Sequence, residues 1–308
     1  MATGKIAVKL AEAINYSENS VLHAVASRSK DKAGAFAEKY GAVKHYGSYE
    51  QLADDTDVDI IYIATPMAQH YENAKMCIKK RKNVLCELIA LAQKHNVFFM
   101  EAMWMKFIPA FRQAKEWVAS GRIGDIKLVR ADLSSLCPYD PDDRLYANSL
   151  GGGSLLDLGV YPLTFACDFL GYKPKEIITS AYIGKSNVDY DASLLLRYDN
   201  GSFADSQIGF DFLKDNSACI IGDKGRIVFG NWFFCTCSVK LYDELGNLVA
   251  EPAITHDCNG YEYEVREVER CLDENKKQSN INPLWQTRAV LEIMDNCRKQ
   301  WNLKFDGE

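Results

Sequence analysis

The string Gly151-Gly152-Gly153-Ser154-Leu155-Leu156-Asp157-Leu158-Gly159-Val160-Tyr161 sets a carboxylate and a phenol four residues apart, behind three glycines. On a helix, residues i and i+4 share a face, and glycines let a ligand approach the backbone closely. A carboxylate beside a phenol is an acid/base pair suited to alcohol oxidation, in which one group takes the hydroxyl proton while a hydride leaves for an acceptor. The same two residues, taken alone, also fit a capping aspartate and a core-facing tyrosine. A second string, Ser27-Arg28-Ser29, offers a guanidinium fork between two hydroxyls, which pairs well with a phosphate dianion; a solvated surface arginine is the plainer reading. Thr65-Pro66 closes the apolar run Val58–Ala64, and His70 follows within a few residues.

The elements that must position these groups fall into two textures. Over the first hundred residues helical and strand patterns alternate, the signature of a parallel sheet flanked by helices. The spacing predicts helices over residues 5–15, Lys30–Tyr40 (capped by Ser29), Tyr49–Leu52, Gln69–Lys79 and Leu88–His95. Strands are predicted over Ser20–Ser27, Val43–Tyr46, Val58–Ala64, Asn83–Glu87 and Val97–Glu101. After Trp104 come a helix over Pro109–Ser120, a strand over Ile126–Leu133, a polar loop over Pro138–Asn148 and a helix over Ser154–Leu170. Antiparallel strands then run from Glu176 to Val249, with turns at Asp199-Asn200-Gly201, Asp223-Lys224-Gly225 and Leu245-Gly246-Asn247. Helices over Tyr261–Asn275 and Pro283–Lys299 follow. The predicted fold class is α/β: a Rossmann-like parallel-sheet domain over 1–104, and an α+β domain over 105–308 with a mostly antiparallel open sheet covered by helices. In such a sheet the residue closing the second strand meets the adenosine ribose. An acid there binds the 2′-hydroxyl of NAD, whereas a cation with small hydroxyls accommodates the 2′-phosphate of NADP. Ser27-Arg28-Ser29 holds no acid, so NADP is expected. Thr65-Pro66 lies where ligands of open α/β sheets sit, although a strand-ending turn has the same composition.

Bulk properties agree. A chain of 308 residues is more than one core usually organises, and 47% hydrophobic with 25% charged residues is ordinary for a globular protein. A net charge of −6 argues against nucleic acid or anionic membrane as a partner. The basic run Lys79-Lys80-Arg81-Lys82 reads as a solvated helix end favoured by the dipole. Ten cysteines are scattered without CxxC pairs, no stretch approaches ~18 apolar residues, and no apolar leader opens the chain. A reducing, cytoplasmic setting is expected.

Ala24–Ser29, Tyr62–Pro66 with His70, Asn83–Glu87, Glu101–Trp104, Gly121–Gly124, Gly151–Tyr161 and Gly222–Ile227, in this order, resemble the glucose–fructose oxidoreductase, inositol dehydrogenase and MocA family over essentially the whole chain. The resemblance is strongest to its branch of dihydrodiol and NADP-dependent D-xylose dehydrogenases. It implies hydride transfer between NADP and a CH–OH group of a small-molecule diol or cyclic sugar. It puts Tyr161 at the position of the catalytic tyrosine or histidine and Asp157 at that of its neighbouring acid. It sets Gly4, Ile6, Ser27, Arg28, Ser29, Thr65, Pro66, His70 and Glu87 about the cofactor. It also implies a homodimer through the antiparallel sheet, for which the strand-like Trp232–Cys237 offers an apolar surface.

Two departures stand out. Relatives open on an apolar strand and a G-x-G-x-I-A turn that cradles pyrophosphate at a helix N-terminus; Met1–Ala7 resembles only the tail of that turn. Relatives follow Cys86-Glu87 with Lys-Pro, whose lysine is the family's characteristic catalytic residue; here Leu88-Ile89-Ala90 follows. Residues 88–96 must also hold a crossover that usually needs at least ~10–12 residues. Without an ammonium beside it, a phenol of ordinary pKa ~10 is a poor base at neutral pH, and Lys106 is another amine that could serve. The chain as written is therefore expected to be silent or nearly so. A non-catalytic cofactor- or sugar-binding regulatory relative is the competing reading.

Overall fold

The computed structural model describes residues 1–66, 69–85 and 94–306. It comprises two units, Met1–Phe107 with His256–Thr287, and Ile108–Thr255 with Arg288–Glu308. The division after Phe107 lies near the one expected after Trp104, but the expected unbroken span 105–308 differs, because 256–287 returns to the first unit. Aromatic and apolar packing explains the return. Trp104 stacks on Tyr261 with ring centroids 4.3 Å apart, and Val268 and Cys271 join a core with Phe98, Met100 and Phe107.

In the first unit, helix α1 (Lys5–Tyr16) precedes strand β1 (Ala24–Ala26), α2 (Lys30–Tyr40) and β2 (Lys44–Tyr46). Then come α3 (Tyr49–Asp54), β3 (Ile60–Tyr62), α4 (His70–Lys79), β4 (Asn83–Leu85) and β5 (Phe99–Met100). Among the described residues all pairings are parallel: β1 with β2, and β3–β4–β5 as a separate sheet. The helix start at Lys30 follows from chemistry, since the Ser29 hydroxyl accepts a hydrogen bond from the Lys32 amide at 3.3 Å. The strands are short, and their central residues are buried except in β2, where His45 is exposed. Ala26, Ile61 and Val84 pack with Leu52 and Ile78, while Val25 packs with Ala11 and Phe36. Most of the expected helix over Leu88–His95 lies outside the described residues.

The second unit carries helix α5 (Pro109–Ala119), strands β6 (Ile126–Ala131) and β7 (Leu133–Ser134), and helix α6 (Val160–Leu170). The strands β8 (Glu176–Ile183), β9 (Asp189–Arg197), β10 (Phe203–Gly209), β11 (Ala218–Gly222), β12 (Gly225–Phe229), β13 (Val239–Asp243) and β14 (Leu248–Ala250) follow. They form one sheet in the order β14-β13-β12-β11-β6-β10-β9-β8, with β7 also on β10. Pairing is antiparallel except where β10 runs parallel to β6 and β7. One face is buried: Val129, Leu194, Ile208, Ile220 and Ile227 are inaccessible or nearly so. Phe165 of α6 meets Phe229 edge-on at 5.1 Å. This is the helix-covered, mostly antiparallel sheet that the pattern predicts. The last two helices are α7 (Glu262–Asp273) and α8 (Leu284–Gln300).

Two expectations are corrected. Trp232–Cys237 is not a strand but a turn between β12 and β13. Trp232 sits at φ +57°, the Asn231 side chain accepts from the Trp232 amide at 2.9 Å, and Phe233 is fully buried. Local side-chain bonding and an αL residue defeat the β propensity of the aromatic run. The helix expected from Ser154 opens instead with a π-turn over Leu155–Gly159 before α6. Pro162 has no N–H to donate, and its ring crowds the Leu158 carbonyl, so a regular α ladder cannot run through.

Candidate functional site

The residues expected about the cofactor lie at strand ends and one helix start. At the end of β1, the Ser27 hydroxyl accepts from the Ser29 amide at 3.3 Å, which folds the three residues into a tight cup opening α2. Arg28 is exposed and makes no ion pair among the described residues. At the end of β3, Thr65 is 5% exposed. Its hydroxyl accepts from Asn73 Nδ2 at 3.0 Å, and its carbonyl bonds His70 Nε2 at 2.5 Å. Burial lowers the His70 pKa despite that carbonyl, so the ring works as a neutral donor that pins the turn; Pro66 is exposed beside it.

Helix α1 starts between these strand ends. Gly4 is its N-cap, extended and without a side-chain cap, and no acid occupies the first turn. The amides of Lys5, Ile6 and Ala7 are the orphan donors of this terminus, carrying its partial positive charge. Gly4 is exposed, and a Cβ placed there would meet nothing within 4 Å, so an anion has an open approach; Ile6 is 46% exposed. Helix amides, two serine hydroxyls and an uncompensated guanidinium form a donor set that fits the phosphates of a dinucleotide. Glu87 lies outside the described residues.

In the second unit Asp157 rides the π-turn, and Arg144 Nη1 donates to its Oδ1 at 2.5 Å. Tyr161, at the start of α6, packs its ring on Phe234 at 4.7 Å. Because the four-residue step from Asp157 to Tyr161 crosses from π-turn to α-helix, the two do not have the simple shared face of an α-helix. Sequence reasoning missed Asp189, which sets this segment. Its carboxylate is fully buried, with Oδ2 accepting from Ser154 Oγ at 2.8 Å and the Leu155 amide at 2.6 Å. Burial pushes Asp189 up to about 6 against those bonds. Lys106, the alternative amine, is buried and donates to Gln286.

Residues 2–88 match the model of the oxidoreductase family with an NAD-binding Rossmann fold, and 111–228 match the GFO/IDH/MocA C-terminal domain. A trans-1,2-dihydrobenzene-1,2-diol dehydrogenase of Xenopus laevis is 32% identical over 92% of this chain and 90% of its own. The chain belongs to the Gfo/Idh/MocA oxidoreductase family. The human trans-1,2-dihydrobenzene-1,2-diol dehydrogenase is 31% identical over 94% of this chain and 91% of its own length. Among solved structures, a 3-ketoreductase from Actinomadura kijaniata in complex with NADP shares the fold at TM-score 0.82 and 23% identity, covering 96% of this chain and 94% of that one. A levoglucosan dehydrogenase complexed with NADH and levoglucosan does so at TM-score 0.80 and 17% identity, over 94% and 93% of the two chains.

As a Gfo/Idh/MocA member the chain is an NAD(P)-binding oxidoreductase of CH–OH groups by descent. Arg144 and Asp189 carried no sequence signal: each is an ordinary residue type made relevant by a distant partner. Among the described residues no helix is long and apolar enough to cross a membrane.

Proposed function

We propose that this chain binds NADP in preference to NAD, and that its reaction is hydride transfer between NADP and a secondary CH–OH group of a trans-dihydrodiol or a cyclic sugar. The observation that carries the cofactor choice is the end of β1. Arg28 is exposed and without an ion pair among the described residues, between two serines, with no acid to hold a 2′-hydroxyl. The substrate class rests on the kinship to dihydrodiol dehydrogenases. When bound, the nicotinamide supplies the hydride acceptor. This chain's residues do the rest: the α1 amides and Arg28 hold phosphates, the Thr65 turn stays rigid under His70, and Tyr161 exchanges the proton of the substrate hydroxyl. Arg144 fixes the orientation of the Asp157 carboxylate.

A second reading is a cofactor- or sugar-binding relative with little or no turnover. It is favoured by the separation of β1–β2 from β3–β4–β5 and by Leu88 following Glu87, where the resemblance calls for lysine. General acid–base assistance is typically worth ~10²–10⁴-fold, so a missing well-tuned base leaves a slow enzyme or none.

Nicotinamide fluorescence on titration with NADPH and with NADH, for the native chain and Arg28→Ala, tests the cofactor assignment. NADPH is expected to bind more tightly, and the substitution to weaken NADPH by about tenfold to a hundredfold, the value of a lost charge-assisted hydrogen bond, with NADH nearly unaffected. Equal losses for both cofactors defeat the assignment. Reduction of NADP⁺ with a panel of trans-dihydrodiols and aldopyranoses separates the readings: binding without turnover selects the second.

A further inference from the structure

Two asparagines of this chain are followed by glycine, Asn200-Gly201 and Asn259-Gly260, and the fold gives the two pairs opposite surroundings. In an Asn-Gly pair the side-chain amide is open to attack by the next backbone nitrogen, because glycine puts no Cβ in the way. The attack has three requirements. The nitrogen must lose its proton, it must reach Cγ, and Nδ2 must leave as ammonia.

Asn200-Gly201 lies in the turn between β9 and β10, and both residues are exposed. Asn200 Oδ1 accepts from the Ser202 amide at 3.0 Å and from Ser202 Oγ at 2.6 Å. The ring closed by the first of these bonds contains both Asn200 Cγ and the Gly201 nitrogen, so the side chain is folded back along the peptide that must attack it. The same two donors polarise the carbonyl and stabilise negative charge on Oδ1 as the nitrogen adds. Asn200 Nδ2 makes no hydrogen bond among the described residues, which leaves it free to depart. The Gly201 N–H gives one turn bond, to the Tyr198 carbonyl at 3.1 Å. A Cβ built on Gly201 would meet nothing within 4 Å, so the turn has room to rotate.

Asn259-Gly260 has the same kind of ring, since the Tyr261 amide donates to Asn259 Oδ1 at 3.2 Å. The other conditions are reversed. Asn259 Nδ2 is held by the Lys9 carbonyl at 2.9 Å and Glu12 Oε2 at 3.1 Å. The Gly260 N–H donates to the Glu262 carboxylate at 2.6 Å, whose negative charge opposes loss of that proton. Gly260 is buried, and a Cβ built on it would lie 2.8 Å from the Trp104 ring, so this pair has no room to turn.

We propose that Asn200-Gly201 is a self-modification site: the Gly201 nitrogen closes on Asn200 Cγ to a succinimide, which water opens to aspartate and isoaspartate, while Asn259-Gly260 stays intact. Hydroxide takes the Gly201 proton, the N–Cγ bond forms, and the Cγ–Nδ2 bond breaks with release of ammonia. Water then adds across either ring carbonyl, and nothing is oxidised or reduced. The product carries a new carboxylate beside Asp199, which pairs with Lys175 at 3.3 Å. In the isoaspartate the main chain runs through the former side chain and is one carbon longer, so the β9–β10 turn loses its fit.

The test is peptide mass mapping of the full chain after incubation at mildly alkaline pH, native and unfolded in urea. In urea both pairs are plain Asn-Gly and are expected to convert at similar rates. In the native chain Asn200 is expected to convert about a hundredfold faster than Asn259 or more, the combined effect of one charge-assisted and one neutral hydrogen bond. The peptide containing residue 200 should take up methyl groups from S-adenosylmethionine in the presence of an isoaspartyl methyltransferase, because ring opening yields isoaspartate. Glu262→Gln keeps a hydrogen-bond acceptor and removes the charge, and should raise the Asn259 rate about tenfold; if that variant does not fold, the comparison within the native chain decides. Equal rates at the two sites of the native chain, or no conversion at Asn200, overturn the proposal. Conversion of Asn200 to aspartate without isoaspartate also overturns it, leaving direct hydrolysis in place of attack by Gly201.

Discussion

Glu264 is fully buried on α7, and neither of its carboxylate oxygens has a hydrogen-bond partner among the described residues. Burial alone pushes it up to about 8. Two neighbours on the same helix show what partners do. Glu262 is shifted downward against its own burial by the amides of Cys258, Asn259 and Gly260, and Glu267 against its own by Arg270, Ser279 and Cys271. A carboxyl whose folded pKa lies above its unfolded value stabilises the fold fully below the unfolded value, and that stability is lost as pH rises through the folded one. For Glu264 the window runs from the ordinary carboxyl value of 4.5 to about 8, and the part lost between pH 6 and 8 is roughly 3 kcal/mol at 1.36 kcal/mol per unit. Tm measured by calorimetry across that range should fall in the native chain and stay nearly level in Glu264→Gln. An unchanged slope in the variant would place the titration on another group. At this scale the sequence showed residue types but not their surroundings. Asp157 and Tyr161 could be picked out by spacing, yet the arginine that orients Asp157 is 13 residues away and lies in an acidic loop that reads as solvent-facing.

The elements were legible where local signals agreed. Ser29 before Lys30–Tyr40 and Pro109 at the head of α5 mark starts that the structure places at the same residues. They were illegible where a tertiary contact overrode propensity: the aromatic run at 232–237 became a turn once Phe233 was drawn into the core against Phe165. The turn into α6 depends on a close approach that no local pattern records. Gly153 sits at φ +117°, and a Cβ there would lie 2.2 Å from Asp189 Oδ1. Gly171, at the other end of α6, has φ +102° with nothing within 4 Å of a built Cβ. Both pay the same kind of backbone cost for alanine, on the order of 1 kcal/mol, but only Gly153→Ala also displaces the buried carboxylate that holds Ser154 and Leu155. Urea unfolding should show a loss of about 1 kcal/mol for Gly171→Ala and about 3 kcal/mol or more for Gly153→Ala. Equal losses would mean that the Asp189 contact is not what fixes the π-turn.

For the whole molecule, the large sheet of the second unit has one face buried by helices and another that is not. Along that second face Ile178 pairs across the strands with Leu195, and Leu128 with Phe203 and Ile221; Ile178 is 45% and Tyr182 58% exposed. An ion pair and a cation–π contact are interspersed: Arg130 with Asp205 at 2.7 Å, and Arg226 over the Tyr242 ring at 4.6 Å. An apolar strip interspersed with arginines and tyrosine has the make-up of an interface, and a specific one needs roughly 1,000 Å² or more of total buried surface, which a nine-stranded sheet can supply. The turn at 232–237 offers much less, since Phe233 faces inward. We therefore expect a homodimer through the sheet face itself, in which the same patch meets its own copy about a two-fold axis. Light scattering at micromolar concentration should give twice the chain mass. Leu195→Glu puts an unpaired charge on each side of the axis, so it should give the single-chain mass while the far-ultraviolet circular dichroism stays that of the native chain. A native chain that scatters as a monomer would remove the dimer. A dimer that survives Leu195→Glu would move the contact off this face.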